Sequence, residues 1–151
     1  MSGLYRRQKW VNLYRMSEHG HSMITFMNLV KNESTTVILV EDEHGHKFGA
    51  MCFDEWKHKH SFYGTGESFV FTFHDTDECK VYLGTGNNSM YQFCDKRCIG
   101  VGGDKQGGRF ALYIGDDFDK GASNKTKCYN NEILAAETNF ICMNLEVWGF
   151  E

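Results

Sequence analysis

Glu67-Ser68-Phe69-Val70-Phe71-Thr72-Phe73-His74 decides the fold class. Side chains alternate across a strand, so the stretch puts Phe69, Phe71 and Phe73 on one face and Ser68, Val70 and Thr72 on the other. The same period recurs in Arg109-Phe110-Ala111-Leu112-Tyr113-Ile114, which gathers Phe110, Leu112 and Ile114. Thr36-Val37-Ile38-Leu39-Val40 is apolar on both faces and rich in β-branched residues, the pattern of a central strand covered on two sides. It runs through Glu41-Asp42-Glu43-His44-Gly45-His46 into a strand at 47–53, a hairpin whose loop uses Gly45 for a positive φ. A second hairpin is predicted between 80–83 and 90–94, around Gly84-Thr85-Gly86-Asn87-Asn88, and a last strand at 140–148.

Helical signal is concentrated in one place. Ser22 can cap a short helix in which Met23, Phe26, Met27 and Val30 follow the i, i+3, i+4, i+7 stripe, a core pattern. Residues 54–57 and 131–137 are expected to form a turn or two of helix each. About seven or eight short strands with few helices predict a mainly β fold, a two-layer antiparallel β-sandwich with a few short flanking α-helices. Among 151 residues there are 16 Gly and no Pro, so turns must rest on Gly, Asn and Asp.

A chain of this length is most simply one domain with a real core. Apolar residues make up 41% and aromatics 15%, which excludes a disordered chain. No apolar run approaches the roughly 20 residues of a membrane helix, and no apolar signal core follows the basic start. An intracellular, cytoplasmic chain without membrane insertion is expected. On that expectation the six cysteines are free thiols, several facing the core, and the three Asn-x-Ser/Thr triplets at Asn32, Asn87 and Asn124 stay unmodified. A net charge of -4 argues against nucleic acid, which demands clustered Lys and Arg.

The motifs that carry chemistry elsewhere are weak here. Three His-x-His pairs, His19/His21, His44/His46 and His58/His60, could each offer two imidazoles, but they sit in loops without a third ligand at metal spacing. Cys94 and Cys98 form a C-x3-C, which matches neither zinc nor dithiol spacing. Cys94 continues its strand's alternation and reads as buried. Cys98 has Lys96 and Arg97 beside it, which could lower its pKa. The glycine runs 64–66 and 100–108 feed strands rather than helices and lack a P-loop pattern, so they read as turns or close backbone contacts. No Gly-x-Ser-x-Gly is present. Glu67, between a glycine turn and an apolar strand, is expected to be a buried carboxylate bonded to loop amides, with a catalytic acid as the other reading.

Taken in order, the blocks resemble the TLDc domain family. They are Trp10-Val-Asn-Leu-Tyr14, His19-Gly20-x-Ser22, Asp42-Glu-His-Gly-His-Lys-Phe-Gly-Ala50, Phe62-Tyr-Gly-Thr-Gly-Glu-Ser-Phe69, Lys120-Gly-Ala-Ser123, Tyr129-Asn-Asn131 and Leu145-Glu-Val-Trp-Gly-Phe150. The resemblance covers residues 10–150, leaving 1–9 as a short lead-in and 10–151 as a single domain. It implies a β-sandwich and a non-catalytic interaction module. Such a module would bind and regulate the vacuolar proton pump (V-ATPase) through its subunits and contribute to oxidative stress resistance. No catalytic residue, cofactor or metal comes with it, and any place at organelle membranes would be held through the protein partner. Matching positions make Gly64, Gly66, Glu67, Gly102, Gly103, Gly107, Gly108, Asn130 and Asn131 the candidate surface, with the glycine loops presenting backbone at the sandwich edge. Fold maintenance is the competing role for each. Two other functions stay open: a structural component of a cytoskeletal or ciliary assembly, and a thiol-based antioxidant using six Cys and seven Met.

Overall fold

The structure is a computed structural model that describes residues 8–59, 61–73, 78–104 and 109–151. Its elements run β1 Trp10–Arg15, α1 Met16–His19, α2 Met23–Val30, β2 Thr36–Asp42, β3 Lys47–Cys52, β4 Phe69–Phe73, β5 Cys79–Leu83, β6 Gln92–Cys94, β7 Cys98–Gly103, β8 Phe110–Gly115, β9 Lys120–Ala122 and β10 Asn139–Phe150. Every pairing between these strands is antiparallel, in the order β5-β4-β3-β2-β10-β9-β8-β7-β6, with β1 added beside β10. The mainly β, antiparallel class read from the alternation is the class observed.

β10 joins the two halves. Asn139 to Ile141 pair with β9, while Cys142 to Trp148 pair with β2. The register shifts between Cys142 and Asn144, a bulge that bends the strand where it passes from one half to the other. One buried cluster draws Ile38, Val40, Phe48 and Val70 from the first half and Ile99, Val101, Leu112, Ile114 and Phe140 from the second. Both halves thus turn a face inward on a shared core, as two layers do.

α2 closes one side of this core. Ser22 Oγ accepts from Thr25 N at 3.3 Å, and Met23, Phe26 and Val30 are buried, as the stripe predicts. Phe26, Tyr14 and Phe118 meet edge to face, with centroids 5.5–5.7 Å apart, a geometry that favours aromatic rings beyond their area. Gly45 has φ +78° in the β2–β3 turn, as expected.

In β4, whose alternation left the buried face open, Ser68, Val70 and Thr72 are fully buried, while Phe69, Phe71 and Phe73 join Val37, Leu39 and Met51 in a second cluster on the outer side of the sheet. Three expectations fail, each for a physical reason. The hairpin expected between 80–83 and 90–94 does not exist. β5 pairs with β4 and β6 with β7, at opposite ends of the strand order, because period two marks a strand without naming its neighbour.

Neither 54–57 nor 131–137 is helical. Their amides are satisfied by side chains instead: Glu55 N by Asp54, Lys57 N by Tyr63 OH, Leu134 N by Ser123 Oγ and Ala136 N by Asp42. Such bonds compete with the helical ladder. Lastly, 100–103 is no edge loop but most of β7, buried throughout. Its glycines make room for rings, since a Cβ on Gly100 would lie 2.5 Å from the ring of Phe110.

Candidate functional site

Four segments converge on two tyrosines. The loop 62–68, the crossing segment 84–91, β7 and the turn 126–131 meet around Tyr91 and Tyr129, whose rings lie 6.4 Å apart at 58°. Gly102 N donates to Tyr91 O (2.9 Å) and Gly103 N to Met90 O (2.8 Å), which extends the sheet past β6. At Gly102 φ is +72°, and a Cβ there would meet the Tyr129 ring at 2.6 Å, so only glycine permits both the backbone and the ring. Gly64, with φ +104°, lies against Gln92 and Tyr91, Gly66 against the hydroxyl of Tyr91, and Gly103 against the Phe62 ring. Gly64, Gly66, Gly102 and Gly103 are therefore brought to one place, and their smallness is taken up by close packing.

The remaining candidates divide. Asn131 is buried: its Oδ1 accepts from Thr126 Oγ1 (2.7 Å), and its Nδ2 donates to Asn124 O (3.0 Å) and Glu132 O (2.8 Å). Asn130 is exposed with φ +49°, a turn conformation that Asn tolerates. Gly107 and Gly108 lie outside the described residues. Glu67 is exposed rather than buried and makes no hydrogen bond among the described residues.

Two other residues do what Glu67 was expected to do. Ser68 Oγ donates to Thr65 O (2.8 Å) and shares a 2.8 Å bond with Tyr129 OH, locking the loop to the turn. Burial pushes the Tyr129 phenol upward in pKa, so it stays protonated as a partner for Ser68. The buried carboxylate bonded to loop amides is Asp42. Its Oδ1 accepts from His44 N (2.9 Å) and His46 N (2.8 Å), and its Oδ2 from Ala136 N (3.0 Å). Alternation already placed Ser68 with Val70 and Thr72; nothing local showed that this face points inward.

The cysteines are all free. Burial raises the Cys94 thiol to about 12. Cys98 also reaches about 12, through burial first and then the carboxylate of Asp95. The lowering expected from Lys96 and Arg97 is absent: both side chains are exposed to solvent, whereas Asp95 both repels the thiolate and hydrogen-bonds the thiol. Cys128 and Cys142 are pushed up to about 11 and about 12, and Cys52 higher still. Cys79 alone is exposed, and it too is raised by desolvation.

Among the described residues no three of His, Cys, Asp or Glu gather at metal distance. His19 Nδ1 instead accepts from Arg15 N (2.9 Å) at α1, and His44 stands 3.5 Å from Glu43. His60 lies outside the described residues. No helix among them is long and apolar enough to cross a membrane.

The family model for the TLDc domain matches residues 1–151. This chain belongs to the TLDc family. Oxidation resistance protein 1 of Rattus norvegicus is 35% identical over 143 residues, which are 94% of this chain and 17% of that protein. The Homo sapiens protein of the same name is also 35% identical, with 94% and 16% covered. Nuclear receptor coactivator 7 of Mus musculus is 35% identical over 143 residues, 94% of this chain and 15% of the relative. The TLDc chain thus spans about a sixth of the length of the curated relatives it matches.

Proposed function

We propose that this TLDc chain is a non-catalytic interaction module that contributes to oxidative stress resistance by binding and regulating the V-ATPase. The observation that carries the reading is the 35% identity, over 94% of the chain, to proteins named for oxidation resistance. The pump as partner comes from the resemblance of the motif blocks to the family. Such a module would work in the cytoplasm, at organelle membranes through its partner.

The geometry agrees with a binding role. The motif glycines are occupied by Tyr91, Tyr129 and Phe62, so they shape a rigid surface more than they cradle a ligand. Glu67, Thr65 and Asn130 are exposed beside them and are the side chains available for contact. The thiol-antioxidant reading is weakened by the raised pKa values of the cysteines, because the thiolate is the reactive form.

Pull-down of purified V1 sector by the purified chain, with and without ATP, is the direct test, and no association in either condition would sink the reading. A variant with all six cysteines replaced, if folded, should keep peroxide protection in cells. Loss of protection there would favour the thiol reading instead.

A further inference from the structure

A basic turn and a short basic segment stand side by side next to α2. Lys59 N donates to Cys94 O (3.0 Å), which holds residues 57–59 against β6. In the β6–β7 turn, Asp95 Oδ1 accepts from Arg97 N (2.8 Å) and Cys98 N (3.0 Å), so the backbone that displays Lys96 and Arg97 is fixed. Between these segments lies a hollow of about 440 Å³ lined by His58, Lys59, Asp95, Lys96 and Arg97. Adjoining it is a second hollow of about 460 Å³, formed by Met23, Ile24, Met27 and Asn28 of α2 and again by His58 and Lys96. Ile24 is 76% exposed, although it is an isoleucine on a helix.

Charge and shape together narrow what this surface can take. The chain carries a net -4, yet Lys59, Lys96 and Arg97 form no ion pair among the described residues, whereas Lys57 is held 3.7 Å from Asp54. Among the described residues Asp95 is the one acid in the hollow, and its Oδ1 is spent on the turn amides. Three unpaired cations are too few to track a nucleic-acid backbone. A bilayer suits cations that stand proud of a surface; here they rim a concavity that continues into an apolar one, which a peptide can enter with a side chain.

We propose that the paired hollows dock an acidic segment of a protein partner, with carboxylates on Lys59, Lys96 and Arg97 and an apolar side chain against Met23, Ile24 and Met27. This surface borders the motif loop at Tyr63, over which Lys57 and Lys59 sit. It requires no particular partner, and its test is separate from the pump pull-down.

The test is to pan a random peptide display library on the immobilised chain and to measure the enriched peptides by fluorescence polarisation. Lys96→Glu/Arg97→Glu and, separately, Ile24→Glu serve as comparisons. All three positions are exposed, and circular dichroism checks that the fold is kept. Acidic sequences with an interspersed apolar residue should be enriched, and they should bind the double charge reversal at least about tenfold more weakly and lose affinity as salt is raised. Ile24→Glu should weaken them severalfold while leaving the salt dependence in place. Lys59→Glu provides a second charge reversal should the double variant misfold. Enrichment of non-acidic peptides, no enrichment, or equal binding by the reversed variants overturns the proposal. So does sedimentation with phosphatidylserine vesicles in the absence of any enriched acidic peptide, which would make the surface a membrane contact.

Discussion

At the scale of single residues, Asp42 and Glu67 exchange the roles that their surroundings in the sequence imply. Asp42 is 1% exposed and satisfies three amides from two separate loops. Truncating it leaves those donors without their acceptor, at a cost of up to roughly 1–3 kcal/mol for each one that water cannot reach. Asp42→Ala should therefore lower unfolding stability by about 3 kcal/mol in urea titration, with Asp42→Asn losing less. Glu67→Gln should shift stability by less than about 0.5 kcal/mol, as exposed substitutions do. A loss of partner binding in that variant, at unchanged stability, would then report contact rather than folding.

The thiols make a second statement at this scale. Cys94, Cys98 and Cys142 are raised from 9.0 to about 12, so the folded chain holds these protons more tightly than the unfolded one. Their stabilising contribution is complete below about pH 9 and is lost as pH rises through about 12. Stability should decline across that alkaline window, and a Cys94→Ala/Cys142→Ala variant should show a shallower decline in equilibrium unfolding between pH 8 and 11, a range chosen from the linkage. Iodoacetamide at neutral pH should label Cys79 first, as mass spectrometry of the native chain would reveal.

Elements depend on how closely backbones approach. Gly49 of β3 pairs with Leu39 and Phe71, and a Cβ there would stand 1.8 Å from the carbonyl oxygen of Ile38. A backbone atom in a central strand cannot retreat as a side chain can, so Gly49→Ala should cost about 3 kcal/mol or more, at the top of the overpacking range. Gly100→Ala meets the Phe110 ring first, a side chain rather than backbone, and should cost less; thermal melts of the two variants separate the cases. β5 ends the strand order with Val81 46% and Leu83 66% exposed, an edge that invites pairing with another chain. Val81→Lys should reduce light scattering on heating while leaving the melting temperature nearly unchanged.

For the whole molecule, β10 and the shared cluster join both halves, so they should unfold as one cooperative unit. Unfolding followed by tryptophan fluorescence and by far-ultraviolet circular dichroism should give coincident curves; separated midpoints would show that the halves melt independently. Local chemistry already dictated the mainly β class, the α2 stripe with its Ser22 cap, the β2–β3 hairpin and the family, because side-chain period, capping groups and motif residues act over a few positions of chain. Which face of β4 is buried, which strands flank β5 and β6, and that Gly100, Gly102 and Gly103 make room for rings inside β7 depend on groups distant in sequence. Alternation creates two faces without ranking them, and burial is assigned only by what packs opposite. Likewise, Lys59, Lys96 and Ile24 come from three separate segments, and only folding assembles them around one concave surface.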